Sequence, residues 1–301
     1  MLFSIVTPAY NRAHTLHRAK QSLIKQSCQD FEWIIVDDGS TDNTLEVVSA
    51  WTEQVSFPLV ILNKSNGGKA SAMQYGLNHA RGEFVVFLDS DDALTHDALQ
   101  LLYNEWLNIP EAERKDFVGV TGLCEDEYGE MVGSPFPESP LDSNAIEVQY
   151  RYRLKGEKMG FLRRDVLTDH PFEIIGNKAH MPESLYWGRI AQTHRTRYVN
   201  EVVRIYYRDD FNQNLSKIRN FEVLSEGSHR GYAFVLSVEI AYFWSCVSCF
   251  ILAAIHYVRY SWHAGHGIKS QVAAIIGTRG RILWVMAFPV GTLVYWYDRL
   301  R

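Results

Sequence analysis

Four short apolar runs, each closing in a knot of polar residues, fill the first ninety positions and constrain the fold more than any other feature of the chain. They are Phe3 to Thr7, Phe31 to Asp37, Leu59 to Leu62 and Phe84 to Leu88. Helical patterns separate them: about Thr15 to Ile24, Leu45 to Trp51 with Ser40 placed as its N-cap, and Ser71 to His79. Near-continuous apolar strands alternating with helices predict an α/β fold, a mostly parallel sheet covered on both faces. In such sheets ligands bind outside the carboxyl ends of the strands. Those ends carry Thr7-Pro8-Ala9-Tyr10-Asn11, Asp37-Asp38-Gly39-Ser40, Asn66-Gly67-Gly68-Lys69 and Asp89-Ser90-Asp91-Asp92, four polar clusters on one rim.

Each cluster has its own chemistry. The carboxylates of Asp89, Asp91 and Asp92 emerge together after a buried strand, and like charges so close need a cation or solvent to relieve them. Oxygen ligands suit Mg²⁺ or Mn²⁺, which bind through one or two carboxylates plus substrate phosphates. A solvated turn with Asp92 capping the next helix is the plainer alternative. Asp38 is placed to accept hydrogen bonds from a base or a ribose hydroxyl, unless it too serves only as a cap. Gly67, Gly68 and Lys69 set flexible backbone and a cation before a helix N-terminus, an arrangement suited to phosphate and equally to an ordinary Gly-Gly turn. Tyr10 can stack on a base or simply cover the sheet edge.

The series SIVTPAYNR, WIIVDDGSTDNT and NGGKASAMQYGLNHARGEFVVFLDSDD resembles the nucleotide-sugar-binding half of family 2 glycosyltransferases of the GT-A fold, over roughly residues 3 to 107. The resemblance implies that the backbone of Thr7, Pro8, Ala9 and Tyr10 flanks the donor base and that Asp38 contacts base or ribose. It places Gly67 and Lys69 near base or diphosphate, and Asp89 and Ser90 by the ribose. Asp91, with Asp89, becomes the ligand of a Mn²⁺ or Mg²⁺ ion bridging the diphosphate. An inverting transferase also needs a base for the acceptor hydroxyl. Met181-Pro182-Glu183-Ser184-Leu185-Tyr186-Trp187-Gly188-Arg189 resembles the family's E-D…L-W-x-R segment, with Ser184 where a second acid is common, so Glu183 is implied as the catalytic base. Gly156-Glu157-Lys158 and the following FLRRDVL resemble polysaccharide-assembly members near the acceptor side, which implies a bacterial setting. Tyr207-Arg208 through Ser216 resembles a late loop that closes over the diphosphate, with Arg208 as a contact.

Composition narrows the alternatives. Thirty basic and 35 acidic residues give a net charge of −5, so no global basic field argues for nucleic acid. Four cysteines in 301 residues make no disulfide scaffold and point to a reducing compartment. Cys246 and Cys249 form a CxxC inside an apolar run and are expected as unpaired thiols; His256, His263 and His266 lack ligand spacing and an acidic partner nearby in sequence. The opening MLFSIVTPAYNR lacks a basic n-region and a long apolar stretch, so no secretory leader is expected and the catalytic half should face the cytoplasm. A sugar-nucleotidyltransferase would want a Gly-rich basic loop after the first strand, which TPAYNRAH does not supply, and a Rossmann dehydrogenase would want G-x-G-x-x-G. A catalytically silent nucleotide-binding protein is the third alternative.

The expected organisation is a GT-A domain over residues 1–220, with a donor half at 1–107 and an acceptor half at 108–220, followed by an apolar helical region at 221–301. Ile240 to Val258 is 19 residues without Asp, Glu, Lys or Arg, and Ile282 to Tyr297 is 16, interrupted by Pro289. The basic loop between them, with Arg259, Lys269, Arg279 and Arg281, opposes a two-span hairpin under the positive-inside tendency. Tryptophans and tyrosines crowd both runs. The expectation is therefore helices lying in the cytoplasmic leaflet, near a lipid-linked or glycan acceptor.

Overall fold

The structure, a computed structural model, describes residues 1–172, 183–208 and 221–300, the side chains of residues 183, 184, 222 and 223 excepted. The chain forms two compact units. One comprises Met1–Ala145, Leu154–Phe172 and Ile190–Gln213, and the other Ile146–Arg153, Glu173–Arg189 and Asn214–Arg301.

The first unit is built on a nine-stranded sheet. Strands β1 (Phe3–Ala9), β2 (Phe31–Asp37), β3 (Leu59–Asn63) and β4 (Phe84–Phe87) are the four apolar runs. They pair in parallel in the order β3-β2-β1-β4, so β1 lies at the point where the chain reverses its direction of travel across the sheet. A ligand crevice belongs at such a point. Ile5, Val6, Trp33, Ile34, Val85 and Val86 are fully buried, which is why these strands read as continuous rather than alternating apolar runs. Helices α1 (His17–Ile24), α2 (Thr44–Ser49), α3 (Lys69–Leu77) and α4 (Ala98–Leu107) connect and cover them. In α4 the buried residues Ala98, Leu99, Leu102 and Trp106 recur at helical spacing.

Beyond β4 the sheet becomes mixed. The two-residue β5 (Ala93–Leu94), long β6 (Phe117–Asp126), short β7 (Leu141–Ser143), β8 (Lys158–Arg163) and long β9 (Arg195–Tyr206) extend it. The path β4-β8-β6-β9-β5 contains antiparallel pairs at β4–β8, β8–β6 and β9–β5, and a parallel pair at β6–β9. Residues 117–206 thus supply four of the nine strands. These strands are short, bulged, or broken by the glycines that let Gly119 and Gly160 approach neighbouring backbone.

The second unit is helical: most of α5 (Ala145–Tyr150), all but the last residue of α7 (Glu183–Ile190; α6 is Arg164–Asp169 in the first unit), then α8 (Phe221–Ser237), α9 (Val247–His263), α10 (Ile268–Ala274) and α11 (Thr278–Arg299). The 19-residue uncharged run is not one helix: a 3₁₀ turn over Glu239–Ser245 ends before α9 begins. Among the described residues no helix is long and apolar enough to cross a membrane. Cys246 and Cys249 are paired as a disulfide, contrary to the thiols expected from their apolar surroundings. Cys246 is the N-cap of α9, and the two Cα atoms lie 5.3 Å apart, within bridging range. The histidines do find acids, on distant segments: His263 Nε2 lies 3.0 Å from Asp298 and His266 Nε2 lies 2.9 Å from Glu226.

His229, buried beneath these contacts, stacks 3.9 Å from His266, and its Nδ1 lies 2.8 Å from Ser261 Oγ. Burial first, then the neighbouring His266 and Arg230 against a smaller opposing effect of Glu226, pushes its pKa down to about 4. The unfolded chain takes up that proton near pH 6.5, so this contribution to stability is complete above about pH 6.5 and is lost as the pH falls toward 4. Thermal melts should show a loss of roughly 2–3 kcal/mol across that window, and His229→Asn, which keeps a donor for Ser261, should flatten it. Identical pH slopes in both proteins would remove His229 from this role.

Candidate active site

The site is assembled on the rim of the first unit from loops that tie one another down. Asn11, at the exit of β1, has φ +54°, and its carboxamide oxygen accepts hydrogen bonds from Thr41 N (2.8 Å) and Asp42 N (3.3 Å). Its own N–H donates to Ser40 Oγ at 2.9 Å. Ser40 is therefore a strut between the exits of β1 and β2 rather than the cap of α2, whose N-cap position is Asn43; Asp42 Oδ1, one residue earlier, accepts from Thr44 N. Thr7 is fully buried within β1, its Oγ1 accepting from Trp33 Nε1, so its side chain belongs to the core. Pro8 and Ala9 complete the strand, Ala9 O accepting from Asp38 N at 2.8 Å, while Tyr10 stands exposed just beyond it.

Asp38 is buried, and its carboxylate is engaged by the next loop: Gly67 N at 3.0 Å, Gly68 N at 2.7 Å and Lys64 Nζ at 2.6 Å. Asp38 thereby shapes the Asn66-Gly67-Gly68 turn. Gly68 adopts φ +85° and releases the chain into α3. Gly39 adopts φ +75°, and a Cβ there would lie 2.9 Å from Asn66 N. Gly39→Ala should therefore cost about 1–3 kcal/mol in chemical denaturation, both from the left-handed backbone and from a clash that no side chain can relieve.

Lys69, the first residue of α3, extends to Asp89, with Nζ 2.8 Å from Oδ1. Asp89 begins the turn after β4, and Ser90, Asp91 and Asp92 follow it. Arg204, near the C-terminal end of β9, is buried and reaches this turn from the opposite half of the sheet: Nη2 lies 2.5 Å from Asp92 Oδ2 and 3.5 Å from Asp89 Oδ2. Asp92 Oδ1 also accepts from Tyr207 N at 3.1 Å. Arg18, from α1, donates to Asp91 O at 3.3 Å and stacks 4.2 Å from the Tyr207 ring centroid.

The three acids are electrostatically unequal. Burial would raise Asp89, but Lys69, Arg204 and Arg12 hold its carboxyl below the usual range. Burial and the Asp89 charge raise Asp91, with Arg12 and Arg204 opposing. Asp92 is pushed up to about 7, chiefly by burial against the pull of Arg204. A raised carboxyl beside an ionised one is the like-charge strain that a hard dication relieves. Among the described residues no group of three or more His, Cys, Asp or Glu side chains is placed to hold a metal by itself. One or two carboxylates that share an ion with substrate phosphates need no such cage, so Asp91 and Asp89 fit Mn²⁺ or Mg²⁺.

Arg204, Arg12, Arg18 and Asn11 are residues that reading the chain alone did not select. Arg204 carried a signal: a cation inside the apolar stretch Val202-Val203-Arg204-Ile205. Replacing it with methionine leaves Asp92 buried without its partner, and the expected loss is about 3 kcal/mol. Protonation of Asp92 relieves part of that cost, so the loss should be smaller at pH 5.5 than at pH 8 when both proteins are unfolded in urea.

Two further implied residues border segments outside the described residues. Arg208, half-exposed, pairs with Asp126 at 2.9 Å at the end of β6, and the loop after it, from residue 209, lies outside the described residues. Glu183 opens α7 in the second unit, and its side chain likewise lies outside them. An open polar hollow of about 650 Å³, lined by Asp37, Ser40, Glu46, Asn63 and Lys64 among others, adjoins β2 and β3. None of Asp89 to Asp92 lines it.

Parallel strands around a reversal point, continued by a mixed half-sheet and with an Asp-Ser-Asp turn ringed by cations at the carboxyl end, have the architecture of the GT-A fold. The chain belongs to glycosyl transferase family 2, whose model matches residues 4–169. It is 36% identical over 140 residues to the glycosyltransferase GlyG of Streptococcus pneumoniae, which covers 42% of this chain and 46% of that protein. The chain thus spans less than half the length of this relative. It is also 35% identical over 102 residues, 33% of this chain and 18% of the relative, to TarS of Staphylococcus aureus, a poly(ribitol-phosphate) β-N-acetylglucosaminyltransferase. The crystal structure of TarS 1–349 in complex with UDP-GlcNAc superposes with a TM-score of 0.63 over 99% of this chain and 92% of that one, at 19% identity. A mannosyltransferase from Pyrobaculum calidifontis, solved with GDP-Man and Mn²⁺, gives 0.55 over 98% and 87%, at 18% identity. Both superpositions bear on the fold.

Proposed function

We propose that this enzyme transfers a sugar with inversion from a UDP-sugar, with UDP-N-acetylglucosamine as the first candidate, to a hydroxyl of a lipid-linked or growing glycan in bacterial surface polysaccharide synthesis. The observation that carries the reading is the unequal treatment of the carboxylates after β4. Asp89 and Asp92 are held by Lys69 and Arg204, while Asp91 keeps a raised carboxyl facing the Asp89 charge. UDP-GlcNAc in the TarS complex and Mn²⁺ in the mannosyltransferase complex support the donor and the ion.

Asp91, with Asp89, holds the divalent ion, which when bound supplies positive charge to the diphosphate leaving group. Lys69 and Arg12 add fixed positive charge on the same side. Tyr10, exposed at the end of β1, covers the base, and the Gly67–Gly68 turn, its N–H groups held by Asp38, sets the start of α3 toward the diphosphate. Glu183 takes the proton of the acceptor hydroxyl as the anomeric bond to the diphosphate breaks.

A panel of UDP-, GDP- and dTDP-sugars, assayed for donor turnover with and without Mn²⁺, tests this. The expected result is Mn²⁺-dependent release of UDP, and a melting point raised by UDP with Mn²⁺ but not by GDP or dTDP. Turnover confined to another nucleotide, or equal turnover in EDTA, would sink the donor or the metal part respectively.

A further inference from the structure

The last helix of the second unit presents two apolar faces where a surface helix needs one. Gly280, Leu283, Trp284, Ala287 and Gly291 are buried, and a Cβ on Gly291 would meet Val258 of α9. At 100° per residue, Ile282, Val285, Met286, Val290, Leu293 and Trp296 fall on a separate arc of roughly 140°. All six are exposed, Met286 at 71% and Leu293 at 69%. An apolar face this continuous marks an interaction surface.

The charges around it say what it meets. From Ile240 onward the chain holds one acid, Asp298, and its carboxylate is taken up by Arg259 (2.5 and 2.7 Å) and His263. Lys269, Arg279, Arg281 and Arg299 are exposed and, among the described residues, have no acid to balance them; Arg281 and Arg299 flank the same edge of the apolar arc. A second copy of this face would set cations against cations, because a two-fold interface brings a patch against itself. A bilayer carrying anionic headgroups matches both the apolar arc and its basic rim, with Trp296 and Tyr297 at the depth where such rings settle.

We infer that the outer face of α11 lies in the interface of an anionic lipid bilayer, seating the helical unit on the membrane without crossing it. The inference does not rest on the donor chemistry: lipid binding and donor turnover are read separately, and either can fail alone.

Flotation of the full chain with phosphatidylcholine vesicles, with and without about 30% phosphatidylglycerol, is the test. The protein should float with the anionic vesicles, and more weakly at high salt. Lys269→Gln with Arg279→Gln should weaken binding roughly thirtyfold. Met286→Glu with Leu293→Glu should abolish it while leaving donor hydrolysis, helical circular dichroism and melting point unchanged. In the unaltered fold, brominated lipid should quench tryptophan emission, and Trp296→Phe should lose a share of that quenching. Equal flotation with neutral and anionic vesicles, binding that survives the double glutamate variant, or a dimer that this variant dissociates would each overturn the inference.

Discussion

Asp91→Ala is expected to lower sugar transfer by roughly three orders of magnitude while leaving the resting protein as stable as before. The reasoning is electrostatic. Asp89 is committed to Lys69 and Arg204, and Asp92 to Arg204 and Tyr207 N, so neither can substitute for the carboxylate between them. Asp91 itself is raised by burial and by the Asp89 charge, which means its carboxylate is a net burden on the folded protein without a cation. Removing it relieves that repulsion, so the melting point without ligand should hold or rise slightly. What is lost is the anchor for the diphosphate's counter-charge, and several kcal/mol of leaving-group stabilisation corresponds to about 10³ in rate. A readout independent of turnover is the thermal shift given by UDP with Mn²⁺, which should vanish in the variant. A shift of wild-type size, with transfer within tenfold, would take Asp91 out of the site.

The second large effect belongs to Glu183. If it is the base, Glu183→Gln removes the proton acceptor while preserving size and polarity, and the expected loss is about 10²–10⁴ in kcat. Because the base acts on the acceptor and not on the nucleotide, the UDP–Mn²⁺ thermal shift should be unchanged, the opposite of Asp91→Ala. The two variants together separate donor anchoring from acceptor activation. The acid limb of the pH–rate profile should also disappear in Glu183→Gln, a change that a merely structural helix-start residue would not produce. Retention of full kcat, or a matched loss of UDP affinity, would reassign Glu183 to the frame of α7.

The donor half was legible in the sequence because its signals are local. Strands such as Phe31–Asp37 are buried on both faces, so burial leaves a continuous apolar word whose ends mark the rim, and the clusters at Asp37, Asn66 and Asp89 follow from where each word stops. Roles within the clusters were less legible. Ser40, Thr7 and Asp38 are polar residues at strand ends, and whether such a residue faces a ligand, the core or the next loop is settled by what stands opposite. Here Asn11, Trp33 and Gly67–Gly68 stand opposite, the first two 29 and 26 residues away from Ser40 and Thr7. The Cys246–Cys249 bridge was hidden for a related reason. An uninterrupted apolar run reads as one helix, whereas the chain breaks into a 3₁₀ turn and Cys246 becomes the N-cap of α9, where it pairs with Cys249.

What the chain determined by itself is the parallel half-sheet and the four residue clusters on its rim, since each follows from hydrophobic periodicity and turn chemistry within a few residues; the family was legible only as a resemblance of the motif series. What only the tertiary structure decided is which charges meet. Arg204 lies 112 positions from Asp92, and it reaches that acid because β9 and β5 are antiparallel neighbours in the sheet. Coulombic energy depends on distance in space and on burial, and neither is written in the spacing of residues along the chain.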